Sequence, residues 1–241
     1  MKVIICQDKQ EVSREAAAIF IQAINSNPEI VLGLATGGTP VGMYKELIEM
    51  NKKGKVNFSK VKSFNLDEYA GLDGSHPQSY RFFMNQNLFN HINIDKSNTY
   101  VPEGKFCDCE QSCRNYEEAI KKNSGIDLQL LGIGSNGHIA FNEPGSPEKS
   151  RTRKVDLTAR TIDDNTRFFD NRNQVPTQAI TMGIETILEA KQIILLATGA
   201  NKATAVTGAL KGPVGSRLPA SFLQGHSACT FIVDKAAACE L

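Results

Sequence analysis

No apolar run in this 241-residue chain is long enough to cross a bilayer. The longest, such as Ile193 to Ala197, fall far short of the ~20 residues that a spanning helix needs. A surplus of either charge is missing as well: 27 Lys and Arg stand against 26 Asp and Glu, for a net charge of +1. That balance excludes the broad basic footprint of a nucleic-acid binder, so neither nucleic acid nor membrane is an expected partner. A small anionic ligand is still compatible with it, because a few local cations suffice. The chain also lacks the Gly-x-Ser-x-Gly elbow of an α/β-hydrolase and the Gly-Lys-Ser/Thr of a P-loop. No internal repeat, low-complexity tract or composition break marks a linker.

An export signal is not expected either. Met1-Lys2-Val3-Ile4-Ile5-Cys6 runs straight into Gln7 and Asp8, too soon for a signal peptide, and reads as a first strand. Six cysteines without such a signal point to a reducing cytoplasm. Three of them cluster at Cys107, Cys109 and Cys113, but a closed zinc site wants four ligands and no further Cys or His lies nearby in sequence. We read them as the start of a helix with Cys109 and Cys113 one turn apart, and expect no metal.

What the chain does have is alternation. At 41% hydrophobic and 22% charged it is ordinary globular material. Strands are expected at Val3–Cys6, Ile30–Thr36, Val61–Leu66, Leu128–Gly134, Gln192–Thr198 and Cys229–Val233. Most are near-continuous apolar runs, as parallel strands covered on both faces require. Between the first two, Val12, Ala16, Ile19, Phe20 and Ala23 share one helical face, with Asp8 and Glu11 at capping-box spacing. Pro40 opens a second helix with Thr39 as its expected N-cap. Further helices are expected at Ser79–Ile92, Asp108–Asn123, Thr158–Phe168, Ala179–Ala190 and Asn201–Leu210. This pattern predicts one domain over 1–241, a doubly wound, mostly parallel sheet with helices on both faces in a Rossmann-like three-layer α/β sandwich. The polar stretch 145–177, with a short strand at Thr152–Leu157, is a candidate lid.

Ligands of open α/β sheets bind beyond the carboxyl ends of the strands. Four segments qualify. Ala35-Thr36-Gly37-Gly38-Thr39-Pro40 joins a strand to a helix N-terminus, where free N–H groups attract a phosphate. In Asn65-Leu66-Asp67-Glu68-Tyr69, strand alternation sends the two carboxylates to opposite sides. One can serve as a lone base, and the competing reading is an ion pair or a helix cap. Gly132-x-Gly134-x-x-Gly137 matches a dinucleotide fingerprint, with Asp156 near the ribose position. The fingerprint needs a helix at its third glycine, and Asn142-Glu143-Pro144-Gly145-Ser146-Pro147 forbids one. We therefore reject a dinucleotide and read His138, flanked by Asn136 and Glu143, as an acid/base group. In Thr198-Gly199-Ala200-Asn201-Lys202, a Lys at the start of a helix opposes the dipole unless an anion binds there.

In this order the motifs resemble one family, the glucosamine-6-phosphate deaminases (isomerases) of short bacterial type. The likeness runs nearly end to end, through Leu32–Pro40, Phe64–Tyr69, Gly132–Pro144, Ser150–Arg153, Asn165–Phe169 and Gly199–Lys202. It implies conversion of glucosamine 6-phosphate and water to fructose 6-phosphate and ammonia, in amino-sugar catabolism, without cofactor or metal. It implies Asp67 as the base moving a proton from C2 to C1, and His138 as the ring opener, held and tuned by Asn136 and Glu143. Gly37, Gly38, Thr39, Arg167 and Lys202 resemble the phosphate-binding set. Two departures stand out. Some members have Asp where this chain has Asn136, so Glu143 is the sole carboxylate beside His138. Hexameric, allosteric members have Lys where this chain has Val155. That removes a cation expected to bind the phosphate of an activator. The oligomeric state is left open. Competing enzymes of similar fold are the 6-phosphogluconolactonases, which need no base at C2.

Overall fold

The computed structural model describes residues 1–166, 169 and 171–241. Its strands are β1 (Lys2–Cys6), β2 (Val31–Leu34), β3 (Lys62–Asn65), β4 (Asp67–Tyr69), β5 (Thr99–Tyr100), β6 (Leu128–Gly132), β7 (Arg153–Asp156), β8 (Gln178–Thr181), β9 (Gln192–Ala197) and β10 (Cys229–Asp234). Its α-helices are α1 (Lys9–Ser26), α2 (Val41–Lys52), α3 (Tyr80–Met84), α4 (Cys109–Lys122), α5 (Ala159–Asn165), α6 (Ile184–Leu188) and α7 (Ala203–Lys211). Seven strands form one sheet in the order β1-β10-β9-β6-β2-β3-β5, every pair parallel. Helices surround it in the three-layer arrangement the alternation predicts. β2, β6, β9 and β10 are buried almost throughout, which is why they read as unbroken apolar runs. None of the helices among the described residues is long and apolar enough to cross a membrane.

The connection that leaves β2 runs toward β3, and the one that leaves β6 runs toward β9. Their shared boundary is therefore a topological switch point, where a crevice opens beyond the carboxyl ends of the strands. α1 begins as its capping residues dictate: the Asp8 side chain accepts from the Glu11 N–H, and Val12, Ala16, Phe20 and Ile24 are buried. α4 likewise starts behind Asp108, which accepts from the Gln111 N–H.

Four local expectations need correction. Thr39 does not cap α2. Pro40 holds that place with φ −75° and ψ −13° and no side-chain cap bond, since its ring fixes the first helical turn. The helix expected at Ser79–Ile92 is the short α3 followed by a π-helical turn at Asn85–Phe89. The helix expected over Asn201–Leu210 opens with a 3-10 turn at Ala200–Lys202, and α7 starts only at Ala203. The helix expected over Ala179–Ala190 begins as a strand instead. β8 pairs antiparallel with both β4 and β7, so it is the centre of a second, three-stranded sheet. Gly183 then separates β8 from α6; a Cβ there would lie 1.9 Å from the Ser150 carbonyl oxygen.

The two sheets join at Leu66. Its N–H donates to Leu34 O at 3.2 Å, and its carbonyl accepts from the Met182 N–H at 2.7 Å. The chain thus steps from β3 into β4 at the carboxyl edge of the large sheet, with Asp67 the first residue after the step.

Candidate active site

A cavity of about 240 Å³ lies at that edge. Its walls come from the turn after β2, the β3–β4 step, the loop after β6 and the turn after β9, the four segments singled out from sequence. Gly37, Gly38, Thr39, Asp67, His138 and Lys202 all line it. A larger cavity of about 830 Å³ lies between α4 and β7. There Glu117 is taken up by Arg151, Thr152 and Thr186, and Arg151 also meets Glu189, so its charged groups largely satisfy one another. We place the chemistry in the smaller one.

Asp67 and Glu68 face opposite ways, as alternation requires. Glu68 is buried and accepts from the backbone N–H groups of Tyr69 (2.9 Å), Tyr80 (2.8 Å) and Arg81 (3.0 Å). It secures the start of α3, and the capping reading applies to it. Asp67 is 7% exposed and lines the cavity. Burial, reinforced by the charge of Glu68, pushes its carboxyl up to about 8. A carboxylate desolvated in this way is a far stronger base than one in water.

The loop after β6 does not continue into a helix. It folds back instead, with the Gly134 N–H donating to His138 O at 2.9 Å and the Gly137 N–H to Gly134 O at 3.0 Å. Gly137 has φ +82°, which favours glycine. Gly134 serves differently: a Cβ there would sit 2.4 Å from His138 Cε1, so the imidazole lies against bare backbone. Ala140 follows at φ +51°, a left-handed conformation that costs a non-glycine residue roughly 1–2 kcal/mol. The second sheet braces this segment. Phe141 N–H donates to Thr181 Oγ1 at 3.1 Å, and Asn142 Nδ2 donates to Met182 O at 2.8 Å.

Behind His138 sit its two sequence neighbours. Glu143 Oε1 approaches His138 Nδ1 at 3.3 Å, close enough for charge to act, though the angle falls short of a hydrogen bond. Asn136 Nδ2 donates to Glu143 Oε2 at 2.6 Å, and the His138 N–H donates to Asn136 Oδ1 at 3.3 Å. An amide at 136 therefore gives Glu143 a donor where a second carboxylate would repel it. Burial works to raise the Glu143 carboxyl. Contact with His138 and hydrogen bonds from Thr161 and Asn136 outweigh burial and bring it down to about 2. Glu143 is thus a fixed negative charge behind the imidazole, suited to orienting it and steadying its protonated form.

On the opposite wall, Gly37 at φ +88° turns the chain into α2. The turn is pinned from outside: Tyr44 Oη donates to Ala35 O, and Lys9 Nζ donates to Gly38 O at 3.2 Å. Lys202 ends the 3-10 turn before α7 and lines the cavity. Arg167, expected to bind phosphate, lies outside the described residues.

A family model described as glucosamine-6-phosphate isomerases/6-phosphogluconolactonase matches residues 7–232. The chain belongs to this family. It is 56% identical over 241 residues to a glucosamine-6-phosphate deaminase of Cellvibrio japonicus, covering 100% of this chain and 92% of the relative. A second relative with that name, from Clostridium perfringens, is 53% identical over 238 residues, with 99% and 98% covered. Among solved structures, a monomeric glucosamine-6-phosphate deaminase superposes with a TM-score of 0.98 at 46% identity, over 100% of both chains. A 6-phosphogluconolactonase from Trypanosoma brucei shares the fold at 20% identity and a TM-score of 0.80, covering 100% of this chain and 98% of that one.

Other members of this site were not visible in the sequence. Tyr80 lines the cavity beside Asp67, stacked on Phe141 with ring centroids 6.0 Å apart. Only the structure brings it there, because α3 is anchored on Glu68. Thr161 meets Glu143, and Arg160 Nη2 donates to Ser135 Oγ at 2.8 Å. The spacing of Thr158 and Thr161 at a helix start is a capping signal, and it did not suggest a contact with Glu143.

Proposed function

We propose that this pocket binds glucosamine 6-phosphate and converts it, with water, to fructose 6-phosphate and ammonia. The phosphate docks on the N–H groups at Gly37–Thr39 and the start of α2, with Lys202 and Arg167 supplying charge. The stretch 145–177 is the lid over this end of the sugar. Anchored there, the non-reacting end of the sugar orients C1 and C2 between Asp67 and His138. A cavity this small suits a compact polar metabolite rather than a dinucleotide.

The closed pyranose hides its carbonyl. His138 moves a proton between the C1 hydroxyl and the ring oxygen, so that the C1–O5 bond breaks and the aldehyde forms. Glu143 holds the imidazole for this exchange. The C2 hydrogen then lies α to a carbonyl. Asp67 removes it, the electron pair passes into an enol, and the proton returns to C1. The C2 carbon becomes an imine, water adds to it, and ammonia leaves as the ketone forms. Atoms balance without an oxidant or reductant. The C2 ammonium of the incoming sugar supplies the positive charge that draws Asp67 into its ionised form.

The observation that carries this reading is Asp67: a buried carboxyl pushed up to about 8, in one small cavity with His138 and a glycine turn. Lactone hydrolysis would give such a base no work at C2. The test is a paired assay. Fructose 6-phosphate and ammonia should appear in equal amounts from glucosamine 6-phosphate, while 6-phosphogluconolactone is hydrolysed no faster than in buffer. Catalysed lactone hydrolysis with no ammonia from the amino sugar would overturn it.

A further inference from the structure

The first turn of α5 holds Glu143 from the side opposite Asn136. Thr161 Oγ1 donates to Glu143 Oε1 at 2.5 Å. That is the oxygen His138 Nδ1 approaches at 3.3 Å, while the other, Oε2, is taken by Asn136. Thr161 is 7% exposed, so water does not readily replace it. Its hydroxyl has one proton, and an ionised carboxylate can only accept, so that proton is committed to Glu143. Thr158 Oγ1 in turn donates to Thr161 Oγ1 at 3.0 Å and accepts from the Thr161 N–H at 3.2 Å as the N-cap of α5. The hydroxyls therefore form a one-way chain from the helix start through Thr161 to Glu143, ending beside the imidazole.

We propose that Thr161 is a positioning residue for the reaction argued above: its hydroxyl fixes the Glu143 carboxylate toward His138 and shares the oxygen that the imidazole faces. Resting on that reading, the proposal adds a link between the seating of α5 and proton transfer at the ring. With α5 in place, part of the Oε1 charge is spent on Thr161, and the imidazolium is held loosely enough to give up its proton. Without the Thr161 hydroxyl, Oε1 turns wholly to His138 and holds the proton there more tightly. Other titratable or charged groups facing the pair are Asp67 from β4, Tyr80 from α3, Lys202 before α7 and, through Ser135, Arg160 on α5 itself. Replacing Thr161 leaves all of them in place.

The test compares Thr161→Val, which keeps the shape and loses the hydroxyl, with Thr161→Ser, which keeps the hydroxyl. Loss of one charge-assisted hydrogen bond should lower kcat by about 10-fold or more in Thr161→Val, with KM changed by no more than about 3-fold. The acid limb of the kcat profile, set by Asp67, should stay where it is, and Thr161→Ser should restore kcat. In the ligand-free protein, the His138 ring resonances followed by NMR should titrate at higher pH in Thr161→Val than in wild type. Should that variant not fold, Thr161→Ala takes its place. Unmoved His138 titration, an effect confined to KM, or equal loss in the Val and Ser variants overturns the proposal. Because the NMR titration needs no turnover, an inactive wild type would count against the proposed function and leave this result readable.

Discussion

Asp67 and Glu143 lie within one site and have been driven in opposite directions. Asp67 is raised to about 8 by burial and by Glu68. Glu143 is lowered to about 2, because its hydrogen bonds and His138 overcome burial. Pairs of groups pushed apart by their surroundings mark acid/base assignments. For activity, the base must be ionised, so kcat/KM should climb with pH until about 8 and then level. The matching limb in kcat should fall at lower pH, since the bound ammonium favours the carboxylate. A kcat/KM profile flat from pH 6 to 9 would contradict this. For stability the signs differ. Asp67 keeps its proton in the fold and loses it near ~3.9 when unfolded, so its contribution is lost as pH rises toward about 8. Asp67→Asn should therefore melt a few degrees above wild type at pH 9 and nearly with it at pH 4. Glu143 acts the other way: its contribution is present above the unfolded value of ~4.3 and is lost as pH falls toward about 2.

At the scale of elements, the loop after β6 shows what could be read in advance. The prolines beyond Gly137 excluded a helix, and the loop indeed folds back on itself. Alternation placed Asp67 and Glu68 on opposite sides, and one lines the cavity while the other secures α3. The small sheet was not legible. Gln178-Ala179-Ile180-Thr181 carries no strong period of its own, and it is a strand because β4 and β7 pair with it on either side. Thr161 was hidden for a similar reason, its partner being eighteen residues away across a loop. The role of Gly134 is also tertiary. We expect Gly134→Ala to leave the melting temperature within a few degrees of wild type, because the Cβ meets the imidazole rather than the core. A misplacement of about 1 Å at a reacting group costs roughly 10² in rate, and kcat should fall by that order. A near-normal rate would mean that the imidazole relaxes around the methyl group.

At the scale of the molecule, the parallel sheet fixes where everything meets. Asp67, the β6 loop, the glycine turn and Lys202 are far apart in sequence and converge because each follows a strand ending at one edge. The order of strands could not be read from the sequence, but the rule that ligands bind beyond their carboxyl ends picked out four segments that line one cavity. Val155 bears on regulation. It packs against the cluster of Tyr69, Phe141 and Leu157 and offers no charge to a phosphate. N-acetylglucosamine 6-phosphate should accordingly leave the rate at subsaturating substrate unchanged, and a several-fold activation would show that another cation has taken over. The central claim concerns Asp67, and the most direct measurement is the rate of fructose 6-phosphate formation by Asp67→Asn beside wild type at saturating substrate. Loss of a positioned proton-transfer base predicts a fall of roughly 10²–10⁴, with a substrate analogue still bound. A rate within about 3-fold of wild type would contradict the account.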